Sequence, residues 1–174
     1  MTAATLIEPA PRTALPANQA ARLLALLVPL GLLGGALFSQ YVGGLWPCEM
    51  CWWQRYPHAA AILLAALAFL FTADDRRARG LVALAGIAIA VSGGIGVYHA
   101  GVEAKVFQGF TACSSAIKSG SSADILKQIM NVPLIQCDQV QWRFLGLSLA
   151  AWNALISLPA AAVTAFLLLK GRAR

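Results

Sequence analysis

Cysteine is the residue type in this 174-residue chain with the most distinctive chemistry, and there are four. Cys48 and Cys51 form a Cys-x-x-Cys motif, and Cys113 and Cys137 lie in a later segment. All four stand outside the apolar stretches, although free cysteine usually behaves as a small buried hydrophobe. Since thiolates exchange with disulfides, this placement predicts either redox work or structural disulfides on an oxidising side of a membrane.

The Cys-x-x-Cys motif is preceded by Pro47 and followed by a helix-like stretch. Proline suits a helix start, so we expect the motif to occupy a first helical turn, where the helix dipole lowers thiol pKa values. Residues three apart share a helix face, so the two sulfurs can meet. Glu49, between the cysteines, should disfavour neighbouring thiolates.

Arg55 follows Cys51 by one helical turn. A guanidinium there can stabilise a thiolate and donate hydrogen bonds to a carbonyl oxygen of a bound ligand. The alternative is an arginine that anchors its helix at the lipid headgroups. No metal site is expected, because zinc sites usually pair two Cys-x-x-Cys motifs or add paired histidines, and His58 and His99 lie at the ends of predicted spans.

The composition is that of an integral membrane protein. Hydrophobic residues make up 59% of the chain and charged residues only 11%, with a mean hydropathy of +0.70. So little charge cannot cover a water-facing surface. The net charge of +6 comes largely from basic residues at the termini and in one short loop, a pattern of headgroup contact. Nucleic-acid binding is not expected.

Four apolar stretches are long enough to span a bilayer as helices. They cover residues 22–42, 52–73, 80–99 and 144–169, and glycine, alanine and serine are frequent in all of them. Small residues allow membrane helices to approach closely. We therefore predict an all-α polytopic membrane protein, a four-transmembrane-helix bundle with a long periplasmic loop between helices 3 and 4.

The short basic loop at 74–79 and both termini should face the cytoplasm, because lysine and arginine concentrate on that side. This divides the chain into a cytoplasmic tail (1–21), one membrane redox domain (22–169) and a second cytoplasmic tail (170–174). Two loops, at about 43–51 and 100–143, then face the periplasm with all four cysteines.

The longer loop contains a candidate short helix that Ser121 and Ser122 can cap. Its apolar residues form one stripe: Ile125, Leu126, Ile129 and Met130. Such a helix either lies on the membrane surface or folds over the bundle.

Several of these motifs resemble the disulfide bond formation protein B (DsbB) family, over about residues 22–169. The run at 46–55, Trp-Pro-Cys-Glu-Met-Cys-Trp-Trp-Gln-Arg, is similar to the family's C-x-x-C-x-x-x-R signature. The remaining matches lie at the predicted end of helix three and entry of helix four: Tyr98, His99, Val102, Glu103, Cys137, Asp138, Trp142, Gly146, Ser148, Trp152 and Asn153.

The resemblance implies a thiol oxidase of the bacterial inner membrane that uses ubiquinone or menaquinone as electron acceptor. Cys48 and Cys51 would be the quinone-coupled pair, with Cys51 and Arg55 beside the quinone. His99 would lie near the quinone head, or serve only as an interfacial hydrogen-bonding residue. A DsbA-like periplasmic thioredoxin-fold protein would be the partner.

The second cysteine pair has an implied role as well. The Cys113–Cys137 disulfide would exchange with the partner, Cys113 would form the mixed disulfide, and Cys137 would pass electrons to Cys48. The protein would thereby reoxidise its partner and sustain disulfide bond formation.

Three other readings remain. A vitamin K epoxide reductase-like thiol/quinone reductase would carry its Cys-x-x-Cys late in the bundle, whereas here the motif opens helix two. An importer of reducing equivalents would need a cysteine within a span or on the cytoplasmic side. A non-catalytic disulfide-stapled membrane scaffold leaves the position of Arg55 unexplained.

Overall fold

A computed structural model of the chain describes residues 15–109, 121–123 and 136–172. Long helices dominate this part, as the sequence predicted, and a short antiparallel hairpin precedes the last of them. The described helices are α1 (Ala17–Tyr41), α2 (Glu49–Ala68), α3 (Arg76–Glu103) and α4 (Leu149–Arg172). The hairpin pairs β1 (Arg143–Phe144) with β2 (Leu147–Ser148).

Three of these helices, α1, α3 and α4, are long and apolar enough to cross a membrane. Helix α2 is not among them, because its first half carries the polar side chains of Gln54, Arg55 and His58. The prediction of a membrane-spanning helical protein is supported by the other three helices. The count of four spans depends on α2 and stays a prediction.

The bundle is held together through small side chains. Helix α3 packs along both α2 and α4, and α1 packs along the same two helices. Much of the buried core consists of alanines, among them Ala25, Ala61 and Ala85. At Gly96 of α3, an added Cβ would lie 3.0 Å from the carbonyl oxygen of Ala150 in α4. Small residues therefore set a close approach of the helices, as predicted.

Helix α1 begins at Ala17, earlier than the predicted residue 22, so residues 17–21 of the expected tail are helical. Arg22 is not a boundary residue, because its side chain is buried inside the bundle. Its Nη2 donates to the carbonyl oxygens of Ala68 (2.6 Å) and Phe71 (3.0 Å). These carbonyls lie at and beyond the C-terminus of α2, which ends at Ala68 rather than near residue 73. Arg22 thus supplies side-chain donors to carbonyls at a helix end, where intrahelical partners are few.

Helix α4 begins at Leu149, later than the predicted residue 144. Leu145 and Gly146 have φ angles of 50° and 81°, which suit the two-residue turn of a hairpin and exclude a helix there. The Oγ of Ser148 then accepts a hydrogen bond from the N–H of Ala151 at 3.2 Å, as helix-capping residues do.

Helix α3 extends beyond the predicted residues 80–99 at both ends, and its last turn carries Glu103. Cys113 lies outside the described residues. Ser121 and Ser122 of the predicted surface helix are within the described part, whereas its apolar positions, Ile125, Leu126, Ile129 and Met130, lie outside it.

Candidate active site

Cys48 and Cys51 occupy the N-terminus of α2. Cys48 is the N-cap residue, and its Sγ accepts a hydrogen bond from the N–H of Cys51 at 3.2 Å. Both are free thiols, with their Sγ atoms 2.8 Å apart. Cys48 is 5% exposed, and Cys51 is half-buried. The two sulfurs therefore meet, with Cys48 on the cap and Cys51 in the first turn.

The two thiols have opposite electrostatic environments. A hydrogen bond from the Cys48 thiol lowers the pKa of Cys51; burial opposes this, while the backbone of Cys48 and the charge of Arg55 add to it. Hydrogen bonds with Cys137 and Cys51, together with burial, raise the pKa of Cys48. Glu49 lies exposed to solvent beside them. Cys51 is consequently the thiol that ionises first.

Arg55 lies one turn beyond Cys51 and joins α2 to α1. Its Nη1 donates to Oε1 of Gln40, and its Nη2 donates to the carbonyl oxygen of Ala36 at 3.1 Å. Its guanidinium carbon stands 4.9 Å from the ring centroid of Trp52. Among the described residues, its Nε has no hydrogen-bond partner. The guanidinium is therefore held in place by two hydrogen bonds and a ring contact.

His99 of α3 contacts Cys48. Its Nε2 is 3.6 Å from the Sγ of Cys48 and 3.8 Å from Oε1 of Glu103. Its Nδ1 is 2.8 Å from Nε2 of Gln54, whose amide also donates to the carbonyl oxygen of Met50. Since the amide nitrogen of Gln54 can only donate, the proton of a neutral His99 ring sits on Nε2, which faces Cys48.

Cys137 is packed directly against the motif. It is 2% exposed and belongs to a buried cluster with Cys48, Met50 and Val102, and its side chain hydrogen-bonds with Cys48. An ion pair between the neighbouring Asp138 and Lys105 ties this segment to the end of α3; hydrogen bonding to Lys105 also lowers the pKa of Asp138. The structure thus brings together three of the four predicted site cysteines.

A cavity of about 550 Å³ opens beside the motif, within the size range of small-molecule sites. Its walls come from all four helices and from the segments around Trp46 and Trp142, and most of the lining is apolar. The polar side chains at its surface include Cys51, Arg55, His58 and His99. The cavity can therefore accept a flat apolar head group next to a thiol.

The same cluster offers ligands for a metal. One ligand atom each from Cys48, Cys51 and His99 lies within 4.8 Å of the others. Two thiols and an imidazole form a soft set that suits a cation such as Zn²⁺. The spacing of the cysteines did not predict this set, because His99 is remote from the motif along the chain. The absence of a metal site stays a prediction.

The residues behind the motif form a buried polar network that the sequence did not predict. The amide of Gln54 meets Asn153 of α4, with Nδ2 of Asn153 donating to Oε1 of Gln54 at 2.8 Å. Asn153 also contacts Ser92 and His58. Helical spacing from Cys51 could have identified Gln54 and His58, at three and seven residues further, but not their partners on other helices.

Comparisons with known proteins agree on one family. The family described as "Disulfide bond formation protein DsbB" matches residues 18–167. A "Disulfide bond formation protein B" of Marinobacter nauticus is 31% identical over 140 residues, which covers 75% of this chain and 80% of the relative. Its namesake in Aromatoleum aromaticum is 33% identical over 143 residues, with 80% and 84% covered. No solved structure matches the chain.

Proposed function

The chain belongs to the DsbB family and is a membrane protein of disulfide bond formation, and from this premise we propose that it is a thiol:quinone oxidoreductase. It reoxidises a DsbA-like periplasmic dithiol protein and delivers two electrons to ubiquinone or menaquinone. The observation that carries this proposal is the contact of Cys51 and Arg55 with one apolar cavity. A bound quinone would supply the two-electron acceptor.

The cavity fits such an acceptor. Its lining is mostly apolar, and both Cys51, the thiol with the lowered pKa, and Arg55 line it. A guanidinium donor can hydrogen-bond a carbonyl oxygen and stabilise negative charge that develops there. Cys51 is positioned to give up electrons, and Arg55 to hold their acceptor.

The thiol exchange that feeds this site begins at the Cys113–Cys137 disulfide. A partner thiolate attacks Cys113, forms a mixed disulfide and releases Cys137 as a thiolate. The partner's second thiolate then resolves the mixed disulfide, so the partner leaves oxidised and Cys113 is a thiolate. The cycle starts with Cys48 and Cys51 also oxidised to a disulfide. The burial of Cys137 against Cys48 supports a next step in which Cys137 attacks Cys48, breaks the Cys48–Cys51 disulfide and releases Cys51 as a thiolate.

The cycle closes on the same residues. Cys113 attacks Cys137, which restores their disulfide and releases Cys48. Cys48 and Cys51 then form a disulfide, and their two electrons pass, with two protons, to the acceptor. His99, whose Nε2 faces the sulfur of Cys48, can donate a hydrogen bond to that thiolate. The sum is one partner dithiol oxidised for one quinone reduced to quinol.

In this proposal the protein sits in a bacterial inner membrane with four spans and both termini in the cytoplasm. The domain division at 1–21, 22–169 and 170–174 is kept. Helix α2 supports a fourth span because its polar residues, Gln54, Arg55 and His58, are buried in the bundle while Leu63 and Leu67 are exposed. Its 20 residues reach about 30 Å, the thickness of a bilayer core.

An absorbance titration tests the proposal. Purified, quinone-loaded protein is mixed with a reduced thioredoxin-like periplasmic dithiol protein, and quinone absorbance is followed in the ultraviolet. We expect quinone absorbance to fall, and Cys51→Ser to abolish the change while the membrane topology stays intact. Each of the other three cysteines should also be required. An unchanged signal, with the partner still reduced, would instead favour structural disulfides.

A further inference from the structure

A second cavity, of about 970 Å³, lies between α3 and α4 at the end of the bundle remote from the cysteine motif. Gly86 and Thr164 are buried on its inner side, where a Cβ added at Gly86 would lie 3.6 Å from Cγ2 of Thr164. On its outer side, Ile87 and Leu169 are 61% and 65% exposed. The two helices therefore touch beneath the cavity, which is an open groove on the surface of the bundle.

The groove has apolar walls that suit a lipid chain. Both α3 and α4 are long and apolar enough to cross a membrane, so the exposed walls of the groove face the bilayer. From Arg76 to Ala90 the groove follows α3 for about 21 Å. Half of the hydrocarbon core of a bilayer is about 15 Å thick. The groove is thus long enough for an acyl chain of one leaflet.

Three arginines border one end of this groove. Arg76 and Arg79 lie in the first turn of α3, and Arg172 lies at the end of α4. None of the ion pairs among the described residues involves any of the three. Asp74 also borders the groove, and its Oδ1 accepts a hydrogen bond from Nδ2 of Asn18 at 2.7 Å. Three positive charges therefore face one negative charge at this end.

The arginines lie at the depth of the lipid headgroups. Helix α3 has 28 residues and reaches about 42 Å, the thickness of a bilayer with its headgroups. Arginine is unfavourable in the first turn of a helix, where the N-terminus carries partial positive charge, whereas a phosphate is stabilised there. The bias for basic residues on one side of a membrane would be met equally by Arg77 and Lys170, which are not among the residues that line the groove.

We propose that the groove binds an anionic phospholipid, with its phosphate at Arg76, Arg79 and Arg172 and an acyl chain between α3 and α4. Guanidinium groups donate paired hydrogen bonds to phosphate oxygens, and basic pockets between membrane helices suit anionic headgroups. A zwitterionic phospholipid has no net charge and gains less from the excess of positive charge. The site requires only that the chain is a membrane protein and does not depend on the redox cycle.

A competition between two phospholipids tests the headgroup. Purified protein in a neutral detergent receives equal amounts of phosphatidylglycerol and phosphatidylcholine with the same acyl chains, and native mass spectrometry measures the lipids retained. The wild type should retain phosphatidylglycerol in preference. Arg76→Gln, Arg79→Gln and Arg172→Gln should each lower this preference about fivefold, the effect of one cation near an anionic lipid. Equal retention of the two lipids by the wild type would overturn the proposal.

Two variants with the same loss of charge are the matched controls. Arg77 shares the first turn of α3 and Lys170 the last turn of α4, but neither is among the residues that line the groove. Arg77→Gln and Lys170→Gln should therefore keep the preference of the wild type. A loss as large as in the groove variants would indicate a diffuse effect of surface charge and would refute a defined site.

The place of the acyl chain is tested by two alanines of α4. Ala165 and Ala162 are both exposed, but only Ala165 lines the groove. Ala165→Leu fills part of the groove and should weaken phosphatidylglycerol binding about fivefold or more, as overpacking does. Ala162→Leu adds the same atoms outside it and should leave binding unchanged. Equal effects of the two variants would rule out a chain in the groove.

Thermal unfolding of the unmodified protein covers the case in which the variants do not fold. A ligand that binds the folded state raises the unfolding temperature. Phosphatidylglycerol should raise it more than phosphatidylcholine does. The difference should shrink at about 1 M salt, where charges are screened within about 3 Å. Equal unfolding temperatures in the two lipids, or a difference that salt leaves unchanged, would contradict binding through the arginines.

Discussion

At the scale of single residues, the two cysteines of the motif differ because each meets different neighbours. Cys51 gains a hydrogen bond from Cys48 and the field of Arg55, whereas Cys48 is buried between two other thiols. The sequence predicted a lowered thiol pKa at this helix start, with Arg55 placed to stabilise a Cys51 thiolate. It could not predict the raised pKa of Cys48, which depends on Cys137, a residue remote in sequence and adjacent in space.

Alkylation of the reduced protein should show this difference as a function of pH. Because the pKa of Cys51 is lowered, its thiolate persists, and reacts with iodoacetamide, at a lower pH than an ordinary thiol of pKa about 8.5. Cys48, with a raised pKa, should react only at higher pH. In Cys48→Ala the reaction midpoint of Cys51 should rise, because the hydrogen bond that lowers its pKa is lost. Mass spectrometry of the labelled peptides measures both sites, and an unchanged or lower midpoint would contradict this assignment.

Arg55→Ala should raise the Michaelis constant for quinone about ten- to a hundredfold, the worth of one hydrogen bond from a charged donor. Membrane expression should fall much less. Gln40→Leu is the control, because it removes one tether of Arg55 and leaves the bond to Ala36, so its effect should be smaller. Steady-state kinetics at varied quinone concentration give both values. Normal quinone kinetics in Arg55→Ala would exclude the role of Arg55.

At the scale of helices, the sequence predicted the existence of each element better than its ends. Pro47 and the cysteines marked the start of α2 correctly to within a few residues, because capping is local chemistry. The start of α4 was wrong, because apolar residues continue through 144–148 while the backbone at Leu145 and Gly146 turns a hairpin. The hydrogen bonds from Arg22 to the end of α2 could not be predicted from the sequence either, because the acceptors are 46 and 49 residues away along the chain.

The close contact of α3 with α4 can be tested with two glycines of the same helix. Gly96→Ala places a Cβ 3.0 Å from the backbone oxygen of Ala150, so the helices must separate, and we expect a loss of about 1–3 kcal/mol. At Gly94 no atom stands within 4 Å of an added Cβ. Gly94→Ala should therefore be neutral or stabilising by up to about 1 kcal/mol. Thermal unfolding in detergent compares them, and equal effects would argue against tight packing at Gly96.

At the scale of the whole molecule, composition predicted a membrane protein, and family membership together with three apolar helices agrees. Composition could not show how the bundle accommodates α2, a helix whose first half is polar. In the structure, three other helices cover the polar face of α2, and the buried network from His99 to Asn153 satisfies many of its groups. That arrangement depends on tertiary contacts that hydropathy does not record.

The topology follows from whether α2 crosses the bilayer. With four spans, both termini lie on the cytoplasmic side, so green fluorescent protein fused to either end should fluoresce. With only α1, α3 and α4 crossing, the termini would lie on opposite sides and one fusion would stay dark. Two fluorescent fusions support the fourth span, and a single fluorescent fusion would refute it.

The burial of Cys48 and Cys137, at 5% and 2% exposure, also limits which thiols can react with them. Dissolved low-molecular-weight thiols, such as glutathione, cannot easily reach either sulfur. In the proposed cycle, a reductant dissolved in the medium therefore cannot enter directly at Cys48 or Cys137, and these two sulfurs exchange mainly with thiols of the protein itself.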